Sequence, residues 1–295
     1  MSLREGERLA LVGESGCGKS MTALSIMNLL PKPPMERTDG TILFKDRDLS
    51  RLSEAQWRNI RGKEMGMVFQ EPFSSLNPVM TVGRQLEETL RLHLGLAGAQ
   101  VGGKIDSLLA EVGLADPGRI TRQYPHQLSG GMCQRIMIAM AVACGPALLI
   151  ADEPTTALDV TVQTQVLDLL FRMTEQHRMA LLFITHNLRI VKGYADRVAI
   201  LYLGQVVEEG VPEEIFDHPQ HPYTEGLLAS LPEFSQKGRE LFSIPGSVPS
   251  PFDPEGGCAF RERCPKAQNR CRDEDPVLTE SKKGHRVQCF FPSGK

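Results

Sequence analysis

The sequence predicts an α/β protein organised around a parallel sheet, and three observations carry that expectation. "RLALVG" (Arg8–Gly13), "ALLIADEP" (Ala147–Pro154) and "ALLFITH" (Ala180–His186) are continuous apolar runs, the pattern of strands covered on both faces. Between the last two, Val162, Val166, Leu169, Leu170 and Met173 recur at helical spacing, and the order strand, helix, strand predicts a right-handed crossover. The first run stops at a glycine-rich turn that opens directly into the helical "SMTALSIMNLL".

A chain of 295 residues favours two domains and suffices for a sizeable core. Its 41% hydrophobic and 23% charged residues are the balance of an ordinary globular protein. A net charge of -3 gives no basis for a nucleic-acid-binding surface, so no nucleic-acid partner is expected. No apolar run approaches the roughly 20 residues needed to cross a bilayer, and "MSLREGERLA" is no secretory signal. Action at a membrane would therefore need a partner that spans it. Cys17, Cys133 and Cys144 are scattered, whereas Cys258, Cys264, Cys271 and Cys289 crowd the C-terminal end. With a reducing cytosol expected, clustered cysteines suggest a metal before a disulfide.

Residues from about 82 to 145 contain no comparable strand and read as several helices, broken at Gly102–Gly103, Asp116–Pro117–Gly118 and "YPHQLSGG". They are expected to form a helical subdomain inserted into the α/β core. "RVAILYLGQVVEEG" predicts a hairpin turning at Leu203–Gly204. From Pro212 prolines and glycines multiply, which divides the chain into an expected domain at 1–211 and a loop-rich module at 212–295.

"GESGCGKS" (Gly13–Ser20) fits G-x-x-x-x-G-K-[ST] between a strand and a helix, the context that a phosphate-binding P-loop requires. Its glycines let successive N–H groups turn inward, and the helix N-terminus adds about half a positive charge. The loop and first helical turn (Gly13, Glu14, Ser15, Gly16, Cys17, Gly18, Lys19, Ser20 and Met21) are the candidate nucleotide contacts. Lys19 would reach the β- and γ-phosphates and Ser20 would coordinate Mg²⁺. In "LLIADEP", Asp152 follows an apolar strand and would also hold Mg²⁺, with Glu153 placed to orient or deprotonate the attacking water.

One further turn is harder to explain in isolation. "LSGGMCQR" (Leu128–Arg135) sets a serine and two glycines ahead of an apolar helix, with no acid, base or metal ligand beside them. Together with "GESGCGKS", "VFQEP", "LLIADEP", "TALD" and "ITHN", it completes six motifs whose order and spacing resemble an ABC-transporter ATPase subunit over essentially residues 1–230. The resemblance implies the P-loop NTPase fold with an ABC-type core. It also implies that Ser129 and the Gly130 and Gly131 amides face the γ-phosphate held by an opposing ATPase chain, so that ATP joins a homo- or heterodimer. Gln70 would sense Mg²⁺ and water and link the site to integral membrane permease subunits; His186 would contact the γ-phosphate and Asp159 would cross the dimer interface.

Three features depart from the family pattern. Met132 stands where glutamine is commonest, and Asn187 follows His186 where aspartate is usual; both are expected to be tolerated. The family also carries an antiparallel β subdomain ahead of the P-loop, with an aromatic residue that stacks on adenine. Only twelve residues precede Gly13 and none is aromatic, so an incomplete β subdomain and weakened adenine binding are expected.

The spacing C-x5-C-x6-C-x17-C, with "HPYTEGLLASLP" and "IPGSVPSP", resembles the C-terminal extension of oligopeptide and dipeptide permease ATPases, in the peptide/nickel import group. In some members the four cysteines hold a 4Fe–4S cluster. Four thiolates also suit zinc, but the wide gaps and the Cys264–Pro265 step lean toward iron–sulfur; uncoordinated thiols are the third reading. Such a site would be structural, since the tail has few apolar residues for a core of its own. Arg261, Arg263, Lys266, Arg270 and Arg272 would offset the cluster's negative charge.

These resemblances imply an ATP-hydrolysing subunit of a di- or oligopeptide importer, on the cytoplasmic face of a bacterial inner membrane, served indirectly by an extracytoplasmic peptide-binding protein. Nickel or another small solute is the alternative cargo. A soluble ABC ATPase is the rival class, but such proteins carry long coiled coils or two cassettes, and neither is found here. Glu153 and His186 argue against a non-hydrolysing subunit.

Overall fold

A computed structural model of the chain describes residues 1–31, 39–156, 158–231, 242–249 and 256–294. Ala157 of "TALD", Pro232 at the end of "HPYTEGLLASLP" and positions 250–255 of the proline-rich stretch lie outside the described residues.

The strands are β1 (Arg8–Val12), β2 (Leu43–Phe44), β3 (Arg47–Asp48), β4 (Met65–Val68), β5 (Leu148–Asp152), β6 (Ala180–Thr185), β7 (Arg197–Tyr202), β8 (Gln205–Gly210), β9 (Thr279–Lys282) and β10 (His285–Val287). The helices are α1 (Lys19–Ile26), α2 (Glu54–Ile60), α3 (Pro72–Ser75), α4 (Val82–Leu94), α5 (Ala99–Glu111), α6 (Pro117–Ile120), α7 (Gly130–Val142), α8 (Val160–Gln176), α9 (Leu188–Tyr194), α10 (Pro212–Asp217), α11 (Pro222–Ala229) and α12 (Arg270–Asp273). The chain divides into two compact units: Met1–Leu3, Glu7–Thr22 and Phe183–Lys295 form one, Arg4–Gly6 and Ala23–Leu182 the other.

In the first unit β1 pairs in parallel with β7, with Val12 opposite Ile200. β7 then pairs antiparallel with β8, β8 with β10 and β10 with β9, so this part of the sheet is mixed. The β7–β8 turn falls at Leu203 and Gly204, both at positive φ, as a two-residue hairpin demands. The C-terminal tail solves its shortage of apolar residues by docking. Phe260 is buried against Tyr202 and Tyr223, ring centroids 5.2 and 5.3 Å away, and Tyr202 and Tyr223 themselves pack at 4.7 Å.

In the second unit β4 runs parallel to β5, Val68 opposite Ala151, and both strands are nearly fully buried. Ala180 donates its N–H to Ala147 O (2.9 Å), so the strand–helix–strand segment returns beside its starting point. β2 and β3 form a short antiparallel pair. Between residues 82 and 142 the described chain is helical and turn-like, without strands. One expectation fails there: Gly102–Gly103 does not break a helix but lies within α5. Both glycines lie in α5 away from its core side, while Val101, Ile105, Leu108 and Leu109 are buried. Their packing outweighs the roughly 1 kcal/mol that each glycine costs a helix, and the breaks fall instead at Gly95 and Gly98, both at positive φ.

Candidate functional site

The glycine-rich loop leaves β1 at Gly13, where no other residue fits: a Cβ would stand 2.3 Å from Leu201 O and 2.6 Å from Cys17 Sγ. Gly16 and Gly18 take φ of 83° and 105°, turning the loop back on itself. Lys19 is buried, and its Nζ donates to Gly13 O (2.9 Å) and Glu14 O (3.0 Å), which fixes the amine across the loop. Ser20 and Met21 continue into α1, whose N-terminus closes the turn. Cys17 is buried, its thiol pushed up by desolvation, so its side chain is packing rather than chemistry.

Glu14 has a second set of partners. Its N–H donates to Tyr223 Oη (2.9 Å), and its carboxylate is gripped by Arg263, Nη1 to Oε2 at 2.7 Å and Nη2 to Oε1 at 3.0 Å. Tyr223 is placed by "HPY". Buried Glu208 accepts from His221 N–H (2.9 Å), Gln220 N–H (2.7 Å) and the His285 ring, and His221 Nδ1 accepts from Tyr223 N–H (3.1 Å). Burial lowers the His221 pKa to about 4, against the pull of Glu208 and Glu225, so its ring is the neutral acceptor that this bond requires. Sequence reasoning misses Tyr223 and Arg263 as neighbours of the loop. "HPY" is the available signal, but in the sequence it marks only the family.

The second unit gathers the carboxylates. Asp152 is buried at the end of β5, and Glu153 follows at φ 44°, an unfavourable backbone for a non-glycine residue and one that clusters at functional sites. Glu153 Oε2 accepts from Gln70 Nε2 (3.3 Å), just beyond β4, and from Thr156 Oγ1 (2.9 Å). Two adjacent parallel strands thus end in Gln70 on one side and Asp152–Glu153 on the other, the edge where α/β proteins place their ligands. Thr156 carries no sequence signal.

Ser129 is exposed and caps α7, its Oγ accepting from Met132 N–H (3.3 Å), with Gly130 and Gly131 forming the first turn. Asp159 caps α8 through the N–H groups of Thr161 (3.1 Å) and Val162 (3.0 Å). α7 and α8 pack together, so two motifs thirty residues apart lie on adjoining helices. In the first unit His186 is exposed at the end of β6, and Asn187 caps α9 by accepting from Arg189 N–H (3.1 Å). Asparagine caps a helix as well as aspartate does, in keeping with the small effect expected of that departure.

Cys258, Cys264, Cys271 and Cys289 all line one cavity, with Phe260, Phe290, Phe291, Arg261 and Lys266 among its walls. Gly257, at φ 91°, lets Cys258 N–H reach Cys271 O (2.8 Å); a Cβ there would meet Cys271 O at 2.6 Å. Burial pushes the Cys289 thiol up to about 11, and the nearby Cys258, Cys264 and Cys271 add to the shift. Among the described residues no group of three or more His, Cys, Asp or Glu forms the close ligand set of a metal ion. Of the basic residues expected to offset the cluster's charge, Arg261 and Lys266 line this cavity. Arg263 is committed to Glu14, and Arg270 pairs with Glu274 (3.0 Å) over the Phe290 ring; each carboxylate draws its guanidinium away.

Comparison with known proteins places these motifs in context. Residues 1–156 match the family described as ABC transporter, and residues 207–271 match the oligopeptide/dipeptide transporter C-terminal region. The dipeptide transport ATP-binding protein DppD of Bacillus subtilis is 49% identical over 289 residues, 98% of this chain and 86% of its own. DppD of Escherichia coli is 47% identical over 291 residues, 99% of this chain and 89% of its own. Among solved structures, a dimeric ATP-binding cassette in a post-hydrolysis state bound to ADP and Pi has a TM-score of 0.63 at 28% identity, covering 72% of this chain and 88% of that one. The cbiO1 protein of Clostridium perfringens has a TM-score of 0.63 at 26% identity, covering 74% and 82%.

Proposed function

The chain belongs to the family of ABC-transporter ATP-binding proteins, and from that premise we propose that it is the ATP-hydrolysing subunit of a di- or oligopeptide importer. The observation that carries the catalytic reading is the pair at the strand ends: Glu153, strained and hydrogen-bonded to Gln70, directly after buried Asp152. Glu153 orients and deprotonates the attacking water, and Gln70 holds that carboxylate in place. Lys19 and the loop amides from Gly13 to Ser20 bind the phosphates. His186 contacts the γ-phosphate.

The donor set suits Mg²⁺, a hard cation that takes oxygen ligands. Asp152, Gln70 and the Ser20 hydroxyl are its ligands in this reading, and the ion would neutralise charge on the phosphates. Ser129, Gly130, Gly131 and Asp159, on exposed helix N-termini, serve a second ATPase chain. The permease partners lie in the membrane, with this chain peripheral on the cytoplasmic face of a bacterial inner membrane. A peptide-binding protein on the far side delivers cargo. Peptide cargo is supported by the C-terminal match and by the names of the relatives.

The four cysteines are read as the ligands of a 4Fe–4S cluster. The support is that all four line one cavity, as the four thiolate ligands of one cluster would. Bound there, it would fix the tail by holding its loops together.

The catalytic reading is tested in the chain assembled with its permease partners. Glu153→Gln should lower ATP hydrolysis and dipeptide uptake by roughly a hundredfold or more, as loss of a general base does, while MgATP still binds. Hydrolysis at the wild-type rate would overturn it.

A further inference from the structure

Glu14 divides its polar groups between two tasks. Its carbonyl faces into the phosphate loop, accepting from Lys19 Nζ and Cys17 N–H. Its N–H and carboxylate face the C-terminal tail, bound by Tyr223 and Arg263. The Arg263 side chain is 5% exposed, and it also donates to Pro245 O (2.9 Å) and Ile244 O (3.3 Å), so the guanidinium is held from two sides. This is a shielded, bidentate pair, the strong kind. The pairing raises the Arg263 pKa well above its usual value, with hydrogen bonding to Glu14 the largest cause.

The clamp is built on the cysteine segment itself. Arg263 immediately precedes Cys264, and Tyr223 packs on Phe260, which lies between Cys258 and Cys264 in sequence. Order in the four-cysteine segment thus bears on Arg263 through the chain itself and on Tyr223 through the Phe260 ring.

We propose that Arg263 and Tyr223 are positioning residues for the nucleotide: through Glu14, the four-cysteine segment sets the conformation of the phosphate loop and hence its affinity for ATP. This rests on the reading of Gly13–Ser20 as the nucleotide site. Two physical reasons support it. A loop containing Gly13, Gly16 and Gly18 has many accessible backbone states, and apparent affinity falls with the fraction of the loop in the competent one. A carboxylate beside a triphosphate also repels it, and Arg263 neutralises that charge at close range.

The test is a set of MgATP dissociation constants measured on the full chain, with thermal unfolding recorded in parallel. Arg263→Ala and Tyr223→Phe should raise Kd by roughly five- to fiftyfold, the range of site-to-site coupling. Arg263→Lys, which keeps the charge but not the fork, should fall between them and the wild type. In a Glu14→Ala background Arg263→Ala should add nothing, because its route to the nucleotide is already cut. Cys264→Ser should likewise raise Kd in the wild-type background and not in Glu14→Ala. A merely structural role would lower the unfolding temperature, leave Kd of the folded protein unchanged and give additive double variants; that result overturns the proposal. Should Arg263→Ala fail to fold, Tyr223→Phe and Arg263→Lys decide the question. Failure of the wild-type chain to bind MgATP would instead sink the underlying nucleotide site, a distinguishable outcome.

Discussion

Gln70 and Glu153, 83 residues apart in sequence, meet side chain to side chain beyond two paired parallel strands, Nε2 to Oε2 at 3.3 Å. The contact gives Glu153 a fixed direction despite its strained backbone, and Thr156 Oγ1 completes the hold on the same oxygen. A carboxylate fixed in this way can orient water without first reorganising. Replacing Gln70 by alanine should therefore slow hydrolysis roughly tenfold, about the worth of one hydrogen bond to a charged group. Kd for MgATP should rise by less than turnover falls, since Asp152 and the Ser20 hydroxyl still hold the ion in this reading. Stopped-flow binding and steady-state turnover on the same preparation separate the two, and a Kd that rises as much as turnover falls would contradict the assignment.

Asp159 carries a stability contribution of its own, whatever it does for a partner. It satisfies two backbone N–H groups at the start of α8. Asp159→Ala should cost about 1 kcal/mol, the usual loss at an N-cap, while Asp159→Asn should cost a fraction of that. Denaturant midpoints check this, and equal loss in both variants would show that charge rather than capping is at stake.

Chain purified without oxygen should contain iron and sulfide in equal amounts. Cys264→Ser and Cys271→Ser should lose both, whereas Cys17→Ser, buried within the phosphate loop, should keep them. Zinc in place of iron, or metal retained in the Cys271→Ser protein, would refute the cluster reading.

Much of this architecture is legible in the sequence because it is local. Continuous apolar runs mark β1, β5 and β6, and the φ-demanding pair Leu203–Gly204 marks the hairpin. The glycine loop announces itself because backbone geometry restricts its residue types, as the 2.3 Å approach at Gly13 shows. What is illegible is non-local. Glu14 is 209 residues from Tyr223 and 249 from Arg263, and neither partner carries a periodic or compositional signal. An arginine among other arginines near a cysteine cluster reads as a counter-charge; only the fold shows that this one is buried against a different anion. Gly102–Gly103 misleads for the opposite reason, since a local breaker is overridden by packing on the far face of α5.

The measurement that bears most directly on the central claim concerns Ser129, which caps α7 at an exposed helix start. On the isolated chain, Ser129→Arg should leave MgATP binding by its own Lys19 loop at the wild-type Kd. In the assembled transporter hydrolysis should nevertheless fall by roughly a hundredfold, because the serine hydroxyl and its neighbouring amides stabilise charge on the nucleotide of the opposite chain. If the substitution instead abolishes binding to this chain, or leaves turnover untouched, the triphosphate is not shared between two chains and the account fails.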